Sequence, residues 1–101
     1  MVKLSYVNSA ATGAPVLATE LHRAPGSARR LAIYAHGLAS TRGGDKPRFF
    51  RDRLPALGWD FAAFDFQGHG ESSGDLRRPT LSRQIEDLAA VVEAHGPLYE
   101  R

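Results

Sequence analysis

Phe61-Ala-Ala-Phe-Asp-Phe-Gln-Gly-His-Gly-Glu-Ser72 decides the fold. Its first half is apolar without polar alternation, as in a strand covered on both faces, and it runs straight into a glycine-punctuated loop. We read that strand as Trp59 to Phe66. Earlier, Leu31-Ala-Ile-Tyr-Ala35 repeats the pattern and runs into His36-Gly37-Leu38. Between the two lies helical spacing: Asp45 as a cap, Pro47 in the first turn, then Phe50, Leu54 and Leu57, with Gly58 as the stop. Pro55 either kinks that helix or ends it early, because it removes a backbone bond. A strand, a helix and a second strand joined in this way make a right-handed crossover with parallel strands. The fold class is therefore α/β.

Working outward, Lys3 to Val7 and Ala14 to His22 alternate, with Asn8 to Gly13 as a turn between them. They read as two antiparallel edge strands, and Ala24-Pro-Gly-Ser27 then breaks the chain. On the other side, Gln67 to Pro79 reads as a long loop, and Thr80 caps a second helix. Leu81, Ile85, Leu88 and Val92 mark one apolar face of it, with Glu86, Asp87 and Glu93 away from its centre. His95-Gly96-Pro97 stops that helix. A β-α-β-α series wants a strand next, and Leu98-Tyr-Glu-Arg101 is too short for one. The expectation is one domain over 1–101 that stops short of the following strand. The Leu31–Ala35 strand then presents an unpaired edge, which invites pairing with a second copy or a complementary chain.

Composition sets the outer bounds. A chain of 101 residues suggests one domain at most. Its 43% hydrophobic and 24% charged residues are ordinary for a soluble globular protein. The net charge of +2 comes from eleven Arg and two Lys, dispersed among acidic residues in pairs such as Arg29-Arg30 and Arg77-Arg78. Without a clustered basic face, a nucleic-acid partner is not expected. The absence of cysteine removes disulfides, thiolate metal sites and cysteine nucleophiles. Met1 to Ser9 lacks the apolar core of a signal peptide, and no stretch approaches the roughly 20 apolar residues of a spanning helix. A soluble, cytoplasmic protein with no membrane partner is the expectation.

Ala35-His-Gly-Leu38 and Asp65-Phe-Gln-Gly-His-Gly-Glu-Ser72 together resemble the α/β-hydrolase superfamily, in its branch of serine aminopeptidase (S33), acylglycerol-lipase-like and related esterase members. That branch carries an H-G loop after its third strand and a D-x-x-G-x-G-x-S loop after its fourth. The resemblance runs from Leu4 to Gly96. It implies a partial α/β-hydrolase fold, an N-terminal β-hairpin followed by β-α-β-α with parallel central strands. It also implies that the N–H of Leu38, the residue after the glycine, is one donor of an oxyanion hole. Gly37 lets the backbone turn closely beneath a substrate. His36 braces the loop rather than handling protons. Gly68 and Gly70 permit the turn that leaves the fourth strand, and Asp65, His69 and Ser72 support it.

The catalytic residues of such enzymes lie elsewhere. The family's nucleophile sits in G-x-S-x-G between its fifth strand and the next helix, and its acid and histidine come later. None of the three is carried over here. By this resemblance the chain corresponds to the front part of a hydrolase for esters or amides, inactive alone. A small-molecule substrate is a partner only once the C-terminal part completes the site.

Gly70-Glu-Ser-Ser-Gly74 imitates the nucleophile motif in letters, and Asp87 and His95 follow Ser72 in hydrolase order. A nucleophile elbow needs a strand running directly into the serine and a helix leaving directly after it. Gln67 to Glu71 separate Ser72 from the strand, and Asp75 to Pro79 separate it from the helix. Asp87 and His95 sit two turns apart on one helix, about 80° apart in azimuth. Ser72 is therefore read as loop support, with no catalytic residue assigned. Gly68-x-Gly70 opens no helix and so makes no dinucleotide fingerprint. His22, His36, His69 and His95 lack metal-ligand spacing. Neither a cofactor nor a metal is expected.

Overall fold

In the computed structural model, residues 2–9, 15–26, 30–37, 40–74 and 80–99 are described. Four strands, β1 (Val2–Asn8), β2 (Val16–His22), β3 (Leu31–Ala35) and β4 (Asp60–Phe64), form one mixed sheet in the order β1-β2-β4-β3. The hairpin β1–β2 pairs Val2 with His22 and Asn8 with Val16. β4 runs antiparallel to β2, from Thr19↔Phe64 to His22↔Phe61, and parallel to β3, from Leu31↔Asp60 to Ala35↔Phe64. Only β1 of the first pair is an edge strand. β2 is interior, because its second side is taken by β4.

All five residues of β4 are buried, as its unbroken apolar pattern requires. Its strand assignment covers Asp60–Phe64 and ends before Asp65 and Phe66, which turn into the loop. On one face Leu17, Phe64, Phe66 and Val91 form the core, with Val7, Ile33 and Leu88 packed against it. On the other face, the first helix, α1 (Asp45–Arg53), lays Phe50 against Tyr34, with ring centroids 6.4 Å apart.

α1 begins at the expected cap itself, one residue early. Gly44 holds the N-cap without a side-chain bond, and Asp45 lies in the first turn, where its carboxylate pairs with Arg48 at 2.5 Å. A carboxylate there also faces the positive end of the helix dipole. Pro55 ends the helix: a single 3-10 turn over Pro55–Leu57 comes next, closed by Gly58 at φ 91°.

The second helix, α2 (Leu81–His95), starts where Thr80 Oγ1 accepts the Arg83 N–H at 3.1 Å. Its orientation corrects the periodicity. Leu81 is 72% exposed, Ile85 58% and Val92 45%, whereas Asp87 and Val91 are fully buried. The reason is polar. Asp87 accepts the Gln67 N–H at 2.8 Å and the Gln67 side-chain amide at 3.0 Å, and this anchor turns the helix so that only Leu88 and Val91 reach the core.

A 3-10 turn, Gly96–Leu98, succeeds α2. The Tyr99 hydroxyl then donates to Asp60 at 2.5 Å, and Asp60 also accepts the Ala24 N–H at 2.6 Å. Burial, with that bond to Asp60, pushes the Tyr99 phenol up to about 12. No described helix is long and apolar enough to cross a membrane.

Candidate active-site loops

β3 and β4 are parallel, so their C-terminal ends open side by side, and the loops that leave them meet there. In open α/β sheets this end of the strands is where ligands bind. The loop after β3 contains His36, which is 5% exposed. Its Nε2 accepts the Phe66 N–H at 2.9 Å, so the ring is neutral there and its proton is on Nδ1. Nδ1 donates to the Gly37 carbonyl at 2.6 Å, and that carbonyl also accepts the Ser40 N–H at 3.1 Å. Burial pulls the His36 pKa below the usual imidazole value, with neighbouring His69 acting in the same direction. The His36 ring stands edge-on to Phe66 at 5.0 Å and 4.9 Å from the ring of His69, whose Nδ1 bonds the Gln67 carbonyl at 3.0 Å.

Asp65, with no exposed surface, joins the same two loops from the other side. Its carboxylate accepts the Arg42 N–H at 2.7 Å and the Glu71 N–H at 3.0 Å, and pairs with the Arg42 guanidinium. Arg42 also reaches Glu20 of β2 at 3.0 Å and Glu71 at 2.6 Å. Burial alone would lower the Arg42 pKa, but Glu71, Asp65 and Glu20 together push it well above its ordinary value. The clamp dictates the glycine beside it. Gly70 adopts φ 50°, and a Cβ there would land on the Asp65 carboxylate. Gly68 (φ 75°) also takes the left-handed conformation in this turn.

Ser72 holds the turn against β2. Its hydroxyl donates to the Asp65 carbonyl at 2.5 Å and accepts the Ala18 N–H at 2.8 Å. Ser73 continues the seam: its N–H donates to the Val16 carbonyl at 2.9 Å and its hydroxyl accepts the Val16 N–H at 2.7 Å. Of the letters that imitate a nucleophile motif, Ser72 is committed to the main chain and Asp87 to Gln67. Gly37 is exposed, and an added Cβ would meet no atom within 4 Å. The described residues themselves impose no demand for glycine there. Leu38, expected to supply an oxyanion donor, lies outside the described residues.

His36, Asp65, Gly68, His69, Gly70 and Ser72 thus gather in one pair of loops. Arg42, Glu20, Glu71 and the Gln67–Asp87 pair complete it, and none of these contacts is visible in the sequence. Arg42 is one of eleven arginines, and only the fold reveals that it faces three carboxylates. Among the described residues no cluster of three or more His, Asp or Glu could hold a metal ion.

Solved structures share this fold. The chain superposes on an Agrobacterium vitis S4 protein assigned to the hydrolases with a TM-score of 0.88 and 26% identity, over 96% of this chain and 38% of that one. It superposes on the ferulic-acid-bound Est1E of Butyrivibrio proteoclasticus at 0.83 and 21%, over 91% and 36%. For the Pyrococcus furiosus esterase Pf2001 the values are 0.79 and 22%, over 100% and 39%. Among curated proteins, the lysophosphatidylserine lipase ABHD12 of Gallus gallus is 41% identical over 49 residues, 48% of this chain and 13% of that protein. No protein-family model matches.

The architecture is that of an α/β-hydrolase, in part: a mixed sheet with a helix on each face and the two characteristic loops at one end. The chain spans under two fifths of the length of the solved hydrolases it matches.

Proposed function

We propose that this chain supplies the oxyanion-loop portion of a serine hydrolase that cleaves ester or amide bonds. The observation that carries the reading is the bond from the Phe66 N–H to His36 Nε2. It fixes the loop after β3 to the loop after β4, and a donor held in place before reaction is what stabilises a developing oxyanion. One such donor contributes about 3 to 4 kcal/mol in acyl transfer. The assigned donor is the Leu38 N–H. Gly37 keeps the approach to it open, and His36, Asp65, His69, Gly70 and Ser72 brace the loops behind it.

Serine acyl transfer requires an activated nucleophile, a general base and an orienting acid. These are assigned to polypeptide equivalent to the remainder of the longer hydrolases, so the 101 residues alone are expected to be inactive. The chemistry calls for no cofactor, and a chain without cysteine suits a reducing cytoplasm.

The purified chain should neither turn over a p-nitrophenyl ester nor take up a fluorophosphonate serine probe. The DNA directly downstream, read in all frames, should encode a strand that runs into G-x-S-x-G. Labelling of Ser72, or absence of that motif downstream, overturns the proposal.

A further inference from the structure

We infer that His36 is a proton-operated latch: a proton on its ring frees the loop after β3 from the loop after β4 while the sheet stays folded. As a hydrogen-bond device this stands on the chain's own geometry; as regulation of the oxyanion loop it rests on the hydrolase reading.

The loop after β3 is pinned at two points. Upstream, the pin is the Phe66 N–H on His36 Nε2 at 2.9 Å. Downstream it is Arg42, whose N–H bonds Asp65 at 2.7 Å and whose guanidinium meets Asp65, Glu20 and Glu71. The two pins answer acid differently. The ring nitrogens of His36 are engaged with opposite polarity, Nε2 accepting from Phe66 and Nδ1 donating to the Gly37 carbonyl. One neutral tautomer satisfies both bonds. The imidazolium, a donor at both nitrogens, does not. A proton on Nε2 sets two donors face to face between residues only 5% and 6% exposed. A buried N–H deprived of its acceptor costs more than the bond contributed.

Acid does not loosen the downstream pin in the same range. Arginine stays charged at any working pH. The histidine that touches this cluster is His22, with Nε2 3.1 Å from Glu20, and a proton there adds a donor toward that carboxylate.

A charged His36 ring finds little compensation where it lies. The titratable groups that act on it are His69, 4.9 Å away between ring centroids, and Asp65. His69 works with burial against the charge. Asp65 works for it, but its carboxylate already serves Arg42 and the Glu71 N–H. Asp87 of α2, bonded to Gln67, is spent in the same way. Opening removes the conflict, because a ring turned into water titrates at its ordinary value of about 6.5. Arg42 is then the pivot, and the pairing of β3 with β4 is untouched.

Amide hydrogen exchange followed by NMR tests this on the 101-residue chain. Protection is corrected for the intrinsic pH dependence of exchange. From pH 7.5 to pH 5.5, protection of the Phe66 N–H should fall about five- to tenfold relative to Ala62 and Ala63 of β4. One pH unit below the ordinary imidazole value favours the protonated, open form by about tenfold. The Arg42 N–H should keep pace with β4. His36→Gln offers a carbonyl acceptor that does not titrate, so Phe66 should stay protected at both pH values. His69→Gln should keep the fall. A parallel decline at Phe66, Ala62 and Ala63 overturns the latch, as does a decline at Arg42 that matches Phe66. So does protonation of His36, seen in its ring nitrogen shifts, that leaves Phe66 unmoved. A fall that survives His36→Gln, or vanishes in His69→Gln, overturns it too. None of these outcomes touches the hydrolase reading, which the serine probe and the downstream motif decide.

Discussion

The loop end of the molecule and its β3 edge are built on opposite plans. At the loop end, buried polar groups find partners within the chain. Asp65 binds Arg42 and two main-chain N–H groups, His36 spans two loops, and Ser72 both donates and accepts. At the β3 edge, no described strand pairs with the strand's outer side, and the helix beside it turns Leu81 and Ile85 to solvent. The contrast separates two sources of order. Loop geometry is set internally, so it is in place before any ligand arrives. The apolar edge finds no such internal partners among the described residues.

The strongest way to break the contrast is at Asp65. Asp65→Ala would leave the Arg42 guanidinium, 10% exposed, without its buried partner and would strip the acceptor from the Arg42 and Glu71 N–H groups. Removing one partner of a buried ion pair costs about 3 to 5 kcal/mol. Urea denaturation monitored by circular dichroism should register that loss, with Asp65→Asn recovering part of it. A loss under about 1 kcal/mol would place the clamp's worth on the scale of a surface pair.

Gly70→Ala comes next. It combines a left-handed backbone at φ 50° with a Cβ directed onto the Asp65 carboxylate, and the expected loss is about 2 to 3 kcal/mol. Gly58→Ala is the control, with φ 91° but no atom within 4 Å of the new Cβ. It carries backbone strain alone. If the two losses are equal, contact with Asp65 contributes nothing.

The effect of pH is gentler. Burial holds the folded His36 below its unfolded pKa of about 6.5, so the unfolded chain binds the proton first as pH falls. Above that value both states are neutral and the fold loses nothing. Below it, stability declines down to the lowered pKa, because a proton on Nε2 would face the Phe66 N–H donor. Denaturation midpoints should therefore fall from pH 7.5 to pH 5.5, and His36→Gln should flatten that slope. An unchanged slope would mean that His36 does not carry the pH dependence.

The same contrast explains which features the sequence carried. The β3 and β4 strands, the crossover between them and the Pro55 break are written in local pattern, because apolar runs and a missing N–H act where they stand. The His36 and Asp65 loops were legible as motifs, though not their bonds. The face of α2 was not legible. Four apolar residues at helical spacing point to one side, and Asp87, by bonding Gln67, turns all but Leu88 of them outward. That is a long-range polar contact with no trace in periodicity. Arg42 escaped for the same reason, since its three carboxylate partners come from β2 and the β4 loop.

The smallest effect sharpens the comparison most. Ile85→Glu sits on the apolar stripe, yet at 58% exposure the side chain contributes little to the chain's own core. Glutamate is also the better helix former, because a β-branched side chain loses χ1 freedom against the preceding turn. Stability, measured by urea titration, should change by no more than about 0.5 kcal/mol. A loss of about 2 kcal/mol would mean that the stripe packs against the chain itself, and the edge would then obey the same internal plan as the loops.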